Sequence, residues 1–374
     1  MSRPADRCPG VFSAHPAADG HLARIRLPGG HVSPAQLEAL VAVADDYGDA
    51  HLELTSRGNL QLRGISDLQG AADLIVDAGL IPTPSHERVR NLQQSALTGR
   101  RGGLLDARPI LDALDVGLRA DAGLAHLPAR FLFGIDDGRG DIVHEAPDAG
   151  LVAIDGDALE VVIGGIPTGR TTTREQAAQT LLAVAHAFLV DRTDEWRIEA
   201  LGEHPKLDEV VAALDPAPPH RVPSAPTEPL VGWLDQDDGL VALGAVVAHG
   251  RMSSRIAEFL AAIERDIYFT PRKEIVVVDL SEGMADTVLR VLAPMGLIFD
   301  ANSPWTRVSA CAGSPGCDKS RADVRGDLEL LLRAPDVEIT DHEHWVGCER
   351  GCGSPRGPHT RVEATDDGYV RQRI

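Results

Sequence analysis

The order strand, helix, strand, strand, helix occurs twice in this chain, once on each side of a proline-rich segment. Residues 215–229 contain six prolines. Missing donors and a fixed φ make such a stretch an extended linker. Before it, residues 21–26 read as a strand. Ser33 then caps a helix that has Pro34 at its first position and Gln36 three residues after the cap. Strands follow at 51–55 and 60–63, and a helix at 67–78 ends on Gly79. After the linker the pattern returns: a strand at 240–247, a helix from Ser254, strands at 266–270 and 274–280, and a helix at 282–292. Ala78-Gly79-Leu80-Ile81 and Met295-Gly296-Leu297-Ile298 close the two copies alike. This is an internal duplication at long period. A weaker echo follows each copy, with residues 151–162 matching 363–373. The expected division is a half-domain at 15–82, a segment at 83–214, the linker at 215–229, a half-domain at 230–300 and a segment at 301–374. The expected class is α+β with a pseudo-two-fold axis.

Charge narrows what the fold can serve. Lys+Arg is 36 against Asp+Glu 56, a formal net charge of −20. That excludes general binding to nucleic acid or to an anionic membrane surface. No apolar run reaches the ~20 residues of a membrane helix. The first twenty residues lack the apolar core of a signal peptide, so the expected compartment is the cytoplasm. Only three lysines occur, Lys206, Lys273 and Lys319, and a GC-rich coding bias explains the arginine excess in bulk.

Four of the five cysteines stand in two tight pairs. Cys311 and Cys317 are spaced C-x5-C, and Cys348 and Cys352 are spaced C-x3-C, each within glycine-rich sequence. Thiolates are soft ligands for iron–sulfur clusters or zinc. A cubane offers four iron corners to four thiolates. Structural zinc is the alternative, although its pairs usually keep two to four residues between ligands. Cys8 stands apart and reads as an idle thiol.

These residues resemble a known family. The two cysteine pairs, with Gly347 to Pro355 reading G-C-x-x-G-C-G-x-P, resemble the hemoprotein subunit of sulfite and nitrite reductases. Thr55-Ser-Arg-Gly-Asn-Leu-Gln61 resembles its T-[TS]-R-x-N-x-Q motif; Arg90-Asn91 with Ala96–Gly99 resembles the next motif. Leu127–Phe133 resembles the basic strand that follows. The resemblance implies duplicated ferredoxin-like half-domains, each followed by a catalytic segment. It implies a [4Fe–4S] cluster on Cys311, Cys317, Cys348 and Cys352. It also implies a tetrapyrrole held by Arg57, Asn59, Gln61, Arg90, Asn91 and Arg130, with the carboxylates gripped by guanidinium groups. No residue can be given a catalytic role from sequence.

Two departures bear on the reaction. The chain is shorter than the assimilatory siroheme reductases, and the basic strand has Arg130 and Leu132 where the reductases carry two lysines. One short branch of the family, in aerobic cobalamin biosynthesis, lacks that pair. Resemblance to it implies O2-dependent mono-oxygenation of precorrin-3A, giving a ring-A γ-lactone and a C20 hydroxyl. It further implies a mononuclear non-haem iron and an external, NADH-derived electron donor. His342, Glu343, His344 and His359 flank the second cysteine pair and are iron-ligand candidates. A siroheme-dependent sulfite or nitrite reductase is the rival reading. A non-enzymatic iron–sulfur or zinc protein is the third.

Overall fold

A computed structural model describes residues 6, 8–225, 228–334 and 337–374. The first half-domain holds β1 (His15–Ala17), β2 (Gly20–Ile25), β3 (His31–Val32), α1 (Pro34–Asp46), β4 (His51–Leu54), β5 (Leu60–Ile65) and α2 (Leu68–Asp77). Ser33 begins α1 with the expected reciprocal cap: its side chain accepts from Gln36 N, and Gln36 returns a bond to Ser33 N. A cap of this kind is worth about 1 kcal/mol. Asp67 caps α2 one-sidedly, its side chain accepting from Gln69 N and Gly70 N.

The following segment holds β6 (Leu92–Gln94), α3 (Arg108–Ala120), β7 (Phe133–Asp136), β8 (Ala149–Ala153), β9 (Ala158–Ile163), β10 (Ile166–Thr173), α4 (Ala177–Asp191), α5 (Pro205–Ala212) and β11 (Asp215–Pro216). β6, β7 and β8 are parallel, and β9 and β10 continue the sheet antiparallel. The proline-rich stretch therefore starts inside this sheet, because Asp215 and Pro216 pair with β10. Residues 226 and 227 of the expected linker lie outside the described residues.

The second copy holds β12 (Gly232–Asp235), β13 (Val241–Val247), β14 (Arg251–Ser253), α6 (Ser254–Ala261), β15 (Ile267–Phe269), β16 (Glu274–Leu280), α7 (Glu282–Leu292) and β17 (Leu297–Ile298). The last segment holds β18 (Val308–Ala310), α8 (Val324–Arg333), β19 (Glu343–Val346), β20 (Thr360–Thr365) and β21 (Gly368–Arg373). β18, β19 and β20 are parallel and β21 is antiparallel, repeating the order of β6 to β9.

The two half-domains exchange strands. The first sheet runs β1, β2, β5, β4, β14, so its last strand comes from the second copy. The other runs β12, β13, β16, β15, β3, so its last strand comes from the first. α1 packs on α6, and one apolar core takes side chains from both copies, among them Leu37, Leu40, Leu60, Leu260, Ile267 and Val277. The duplicated ferredoxin-like architecture expected from sequence is what the chain adopts.

Candidate functional site

β2 and β5 of the first half-domain face the loops that follow β18 and β19. Between them lies a cleft of about 680 Å³. Arg24, Arg57, Arg63, Lys273, Lys319, Arg325 and Arg350 line it, against two carboxylates, Glu53 and Asp318. A strongly acidic chain thus gathers cations at one concavity, a field that draws anions.

All four paired cysteines line this cleft, and all are free thiols. β18 ends one residue before Cys311, whose N–H donates to Trp345 O beside the parallel ladder. Gly347 N then donates to Cys311 Sγ at 3.3 Å. Glycine is required at 347, where a Cβ would stand 1.8 Å from Ser320 Oγ. Burial and then the three other thiols push Cys352 above its ordinary value. Among the described residues, no three of these sulfurs lie within 4.8 Å of one another. Four sulfurs on one zinc at about 2.3 Å would stand about 3.8 Å apart. As placed, the sulfurs stand wider apart than four ligands of one zinc would, a spacing that four thiolates on the separate irons of a cubane would tolerate.

A hydrogen-bonded chain ties the cleft floor to the cysteine loops. Arg24 Nη2 donates to Gln61 Oε1 at 2.9 Å, and Gln61 Nε2 donates to Glu53 Oε2 at 2.7 Å. Arg325 donates to Glu53 at 2.8 Å and to Cys311 O at 3.3 Å. Burial alone would raise the Glu53 carboxyl; Arg325, the Gln61 bond and Arg63 outweigh it and hold the group below its ordinary range. Arg63 forks onto Asp19 and donates to Gly316 O at 2.7 Å, inside the first cysteine loop. Arg24 Nε is buried without a partner.

The resemblance residues divide into two groups. Arg57, Asn59 and Gln61 line the cleft with the cysteines. Arg57 also donates to Ala129 O and Arg130 O, and burial, then Arg197 and Arg356, pushes it down to about 10. Asn59 is buried and accepts from Leu27 N. Arg90, Asn91 and Arg130 are not among the cleft residues. Arg90 is turned into a buried fork with Asp115 of α3 and a bond to Leu80 O. It lines a separate cavity of about 340 Å³. Asn91 is buried and holds Ala129 O at 2.8 Å. Arg130 is exposed, with its guanidinium over the Trp196 ring. Arg57 and Asn91 therefore converge on the carbonyls of the 129–131 turn.

Residues 15–70 match the nitrite/sulfite reductase ferredoxin-like half domain. The first half-domain is of that type. A precorrin-3B synthase of Sinorhizobium sp is 23% identical, over 97% of this chain and 81% of its own. A ferredoxin–nitrite reductase of Synechococcus elongatus is 24% identical, over 93% of this chain and 77% of its own. A ferredoxin-type sulfite reductase of Mycobacterium tuberculosis is 24% identical, over 94% and 70%. The solved structure of Mycobacterium tuberculosis NirA superposes with a TM-score of 0.75 at 20% identity, covering 94% of this chain and 73% of that one. The chain therefore has the fold of NirA, and the relatives divide between reductases and a precorrin-3B synthase.

A nitrite/sulfite reductase-type half-domain places the cleft but not a second metal. His344 Nε2 donates to Cys352 O at 3.0 Å, so its Nδ1 accepts from the Ser309 hydroxyl at 2.8 Å. Both nitrogens are committed. Burial pushes His344 to about 3 and His342 to about 4, which keeps both rings neutral. Glu343 is taken by Arg371 and Trp345. Of the expected iron ligands, His344 and Glu343 are engaged elsewhere and His342 Nε2 meets the Ser309 hydroxyl, whereas His359 is tied to Gly357 O through Nδ1 alone and its Nε2 is buried without a partner. Among the described residues, the only three metal-capable groups within 4.8 Å are Asp136, Asp137 and Asp141, away from the cleft. Asp136 accepts four backbone N–H bonds and Asp137 forks with Arg139, so this trio is also spent internally. Among the described residues, no three of His342, Glu343, His344 and His359 bring ligand atoms within 4.8 Å of one another, so as placed they do not form a mononuclear iron site.

Sequence reasoning passed over Arg24, Arg325 and Lys273. Arg24 was readable as an inward position of β2, since it pairs with Gln61 across the sheet. Lys273 stands at the cleft half-buried, and burial pushes its ammonium down to about 8.

Proposed function

We propose that this chain is an oxidoreductase that binds a polycarboxylate tetrapyrrole in the cationic cleft, beside a [4Fe–4S] cluster on Cys311, Cys317, Cys348 and Cys352. When bound, such a cluster supplies single electrons to whatever lies against it. The protein's own work is then recognition and exclusion. Arg24 and Arg57 present guanidinium groups to macrocycle carboxylates. Asn59 and Asn91 hold the backbone that carries Arg57 and the 129–131 turn. Gln61 and Glu53 fix Arg24 and Arg325 in place.

The substrate we assign is precorrin-3A, converted to precorrin-3B. One atom of O2 enters the macrocycle and the other leaves as water, with two electrons and two protons from an external donor. The carrying observation is the basic strand. In the structure residues 127–132 form the turn before β7 rather than a strand; Leu132 is buried and Arg130 lies exposed on Trp196, so this segment brings no cation to the cleft. Reduction of sulfite or nitrite consumes many protons, and a site for it needs donors at the bound oxyanion. The reductase reading keeps one support: two of the chain's three lysines, Lys273 and Lys319, line the cleft.

The test is a visible spectrum of anaerobically purified protein, with iron, sulfide and zinc counted on the same sample. A broad brown shoulder with iron and sulfide near four each per chain, and no siroheme bands, is expected. Precorrin-3A should then be consumed with O2. Sharp siroheme bands would favour sulfite or nitrite reduction. Stoichiometric zinc in a colourless protein would overturn both readings.

A further inference from the structure

The duplication places two equivalent hairpin loops at the centre of the molecule. Thr55-Ser-Arg-Gly-Asn59 joins β4 to β5, and Thr270-Pro-Arg-Lys-Glu274 joins β15 to β16. The loops close identically. The threonine N–H donates to the fifth residue's carbonyl, at 2.9 Å in the first loop and 3.0 Å in the second. The fourth residue's N–H donates to the threonine carbonyl, at 3.2 and 2.9 Å. The fifth residue's N–H donates to the threonine hydroxyl, at 3.1 and 3.2 Å. The fourth residue is left-handed in both, with φ 67° at Gly58 and 63° at Lys273.

Glycine meets that conformation without strain, and lysine does not. Gly58 also has a steric reason, since a Cβ there would stand 2.6 Å from Phe269 O. On the other side of the pseudo-two-fold, that space is opened. The Lys273 stem runs beside Gly250, where a Cβ would stand 2.9 Å from its Cδ. Its ammonium has no hydrogen bond or ion pair among the described residues and borders the cleft. Arg57 and Arg63 in the same cleft are held by protein oxygens. In a chain with only three lysines, one is kept at a strained position, unpaired, facing the concavity. Of the non-glycine residues with positive φ, Lys273 combines that strain with an unpaired charge at the cleft, which points to function.

We propose that Lys273 is the cleft's second-half contact to the bound molecule, and that its ammonium receives an anionic oxygen. That oxygen belongs either to a macrocycle carboxylate or to a small oxyanion seated on the macrocycle. This rests on the tetrapyrrole reading above. The duplication explains its origin: the loop that offers Arg57 from one half offers Lys273 from the other, so the ligand is gripped from both copies.

The probes are uroporphyrin III, an octacarboxylate macrocycle, followed by fluorescence quenching, and sulfite, followed by calorimetry. The variants are Lys273→Gly, which restores the residue of the first loop, and Lys273→Gln, which keeps the stem and removes the charge. Lys273→Gly relieves the left-handed strain, so its melting temperature should not fall below that of the native chain. Its affinity should nonetheless drop about tenfold, close to 1.4 kcal/mol. Loss toward uroporphyrin alone assigns Lys273 to a macrocycle carboxylate. Loss toward sulfite alone assigns it to the small oxyanion, and loss toward both assigns it to both. Lys273→Gln should match Lys273→Gly in each case. Native affinity for both probes in both variants overturns the proposal while leaving the tetrapyrrole reading intact. A native chain that binds neither probe overturns both.

Discussion

Arg90 and Asp141 show what one residue owes to neighbours far along the chain. The Arg90-Asn91 motif was legible, and its residue types suit a carboxylate ligand. Its partner was not legible, because Asp115 arrives on α3, 25 residues later. A buried guanidinium needs a compensating charge, and Asp115 supplies it to Arg90. Asp141 carries a sharper consequence. Burial and then the Asp136 charge push its carboxyl from 3.8 up to about 8, while the Ser95 hydroxyl donates to it at 2.5 Å. Unfolded, it titrates at its ordinary value. Between those limits the folded chain keeps a proton that the unfolded chain has released. The associated stability is full below the ordinary value, declines as pH rises, and is gone above about 8. Melting temperatures of the native chain should therefore fall between pH 4 and 8 more steeply than those of Asp141→Asn. Parallel profiles for the two proteins would contradict this titration.

At the scale of elements, the sequence was most informative where capping and periodicity act locally. The helices that begin after Ser33 and Asp67 start where their caps dictate, and β16 and α7 match the expected spans. α4, by contrast, begins after Gln176 with no side-chain cap. Strands of two or three residues, such as β3 and β14, have no readable period, so the strand exchange was invisible. The cysteine loops were recognisable as ligand loops, but their support was not. Arg63, 253 residues from Gly316 in sequence, holds the carbonyl that shapes the first loop. A charged hydrogen bond of this kind contributes about 1.5–3 kcal/mol. Arg63→Met should loosen the loop between Cys311 and Cys317 and lower iron and sulfide per chain by at least about half on aerobic purification. Arg63→Lys keeps the charge but not the fork, and should fall between the two. Full iron content in Arg63→Met would show that the loop holds its shape unaided.

The whole molecule behaves as one body because the duplication is interlocked. Each half-domain donates an edge strand to the other's sheet, through His31–Val32 on one side and Arg251–Ser253 on the other. Arg100 of the first segment forks onto Asp279 of the second half-domain, and Arg325 reaches Glu53 across the cleft. The cleft is composed of both copies, so its anion grip exists only in the assembled chain. The proline-rich connection is itself packed on the first segment, where His220 pairs with Glu160 and His144 and Gly140 meet Pro223 and Ser224. A protease site placed between Pro219 and His220 tests the balance. After cleavage, the two pieces should co-elute at the volume of the intact chain and bind uroporphyrin III within about twofold of it. Their affinity for each other is carried by a shared core and two exchanged strands, which resembles a permanent interface more than a transient one. Separation of the pieces on dilution would mean that the linker, and not the interlocked sheets, keeps the arginines of one half facing the cysteines of the other.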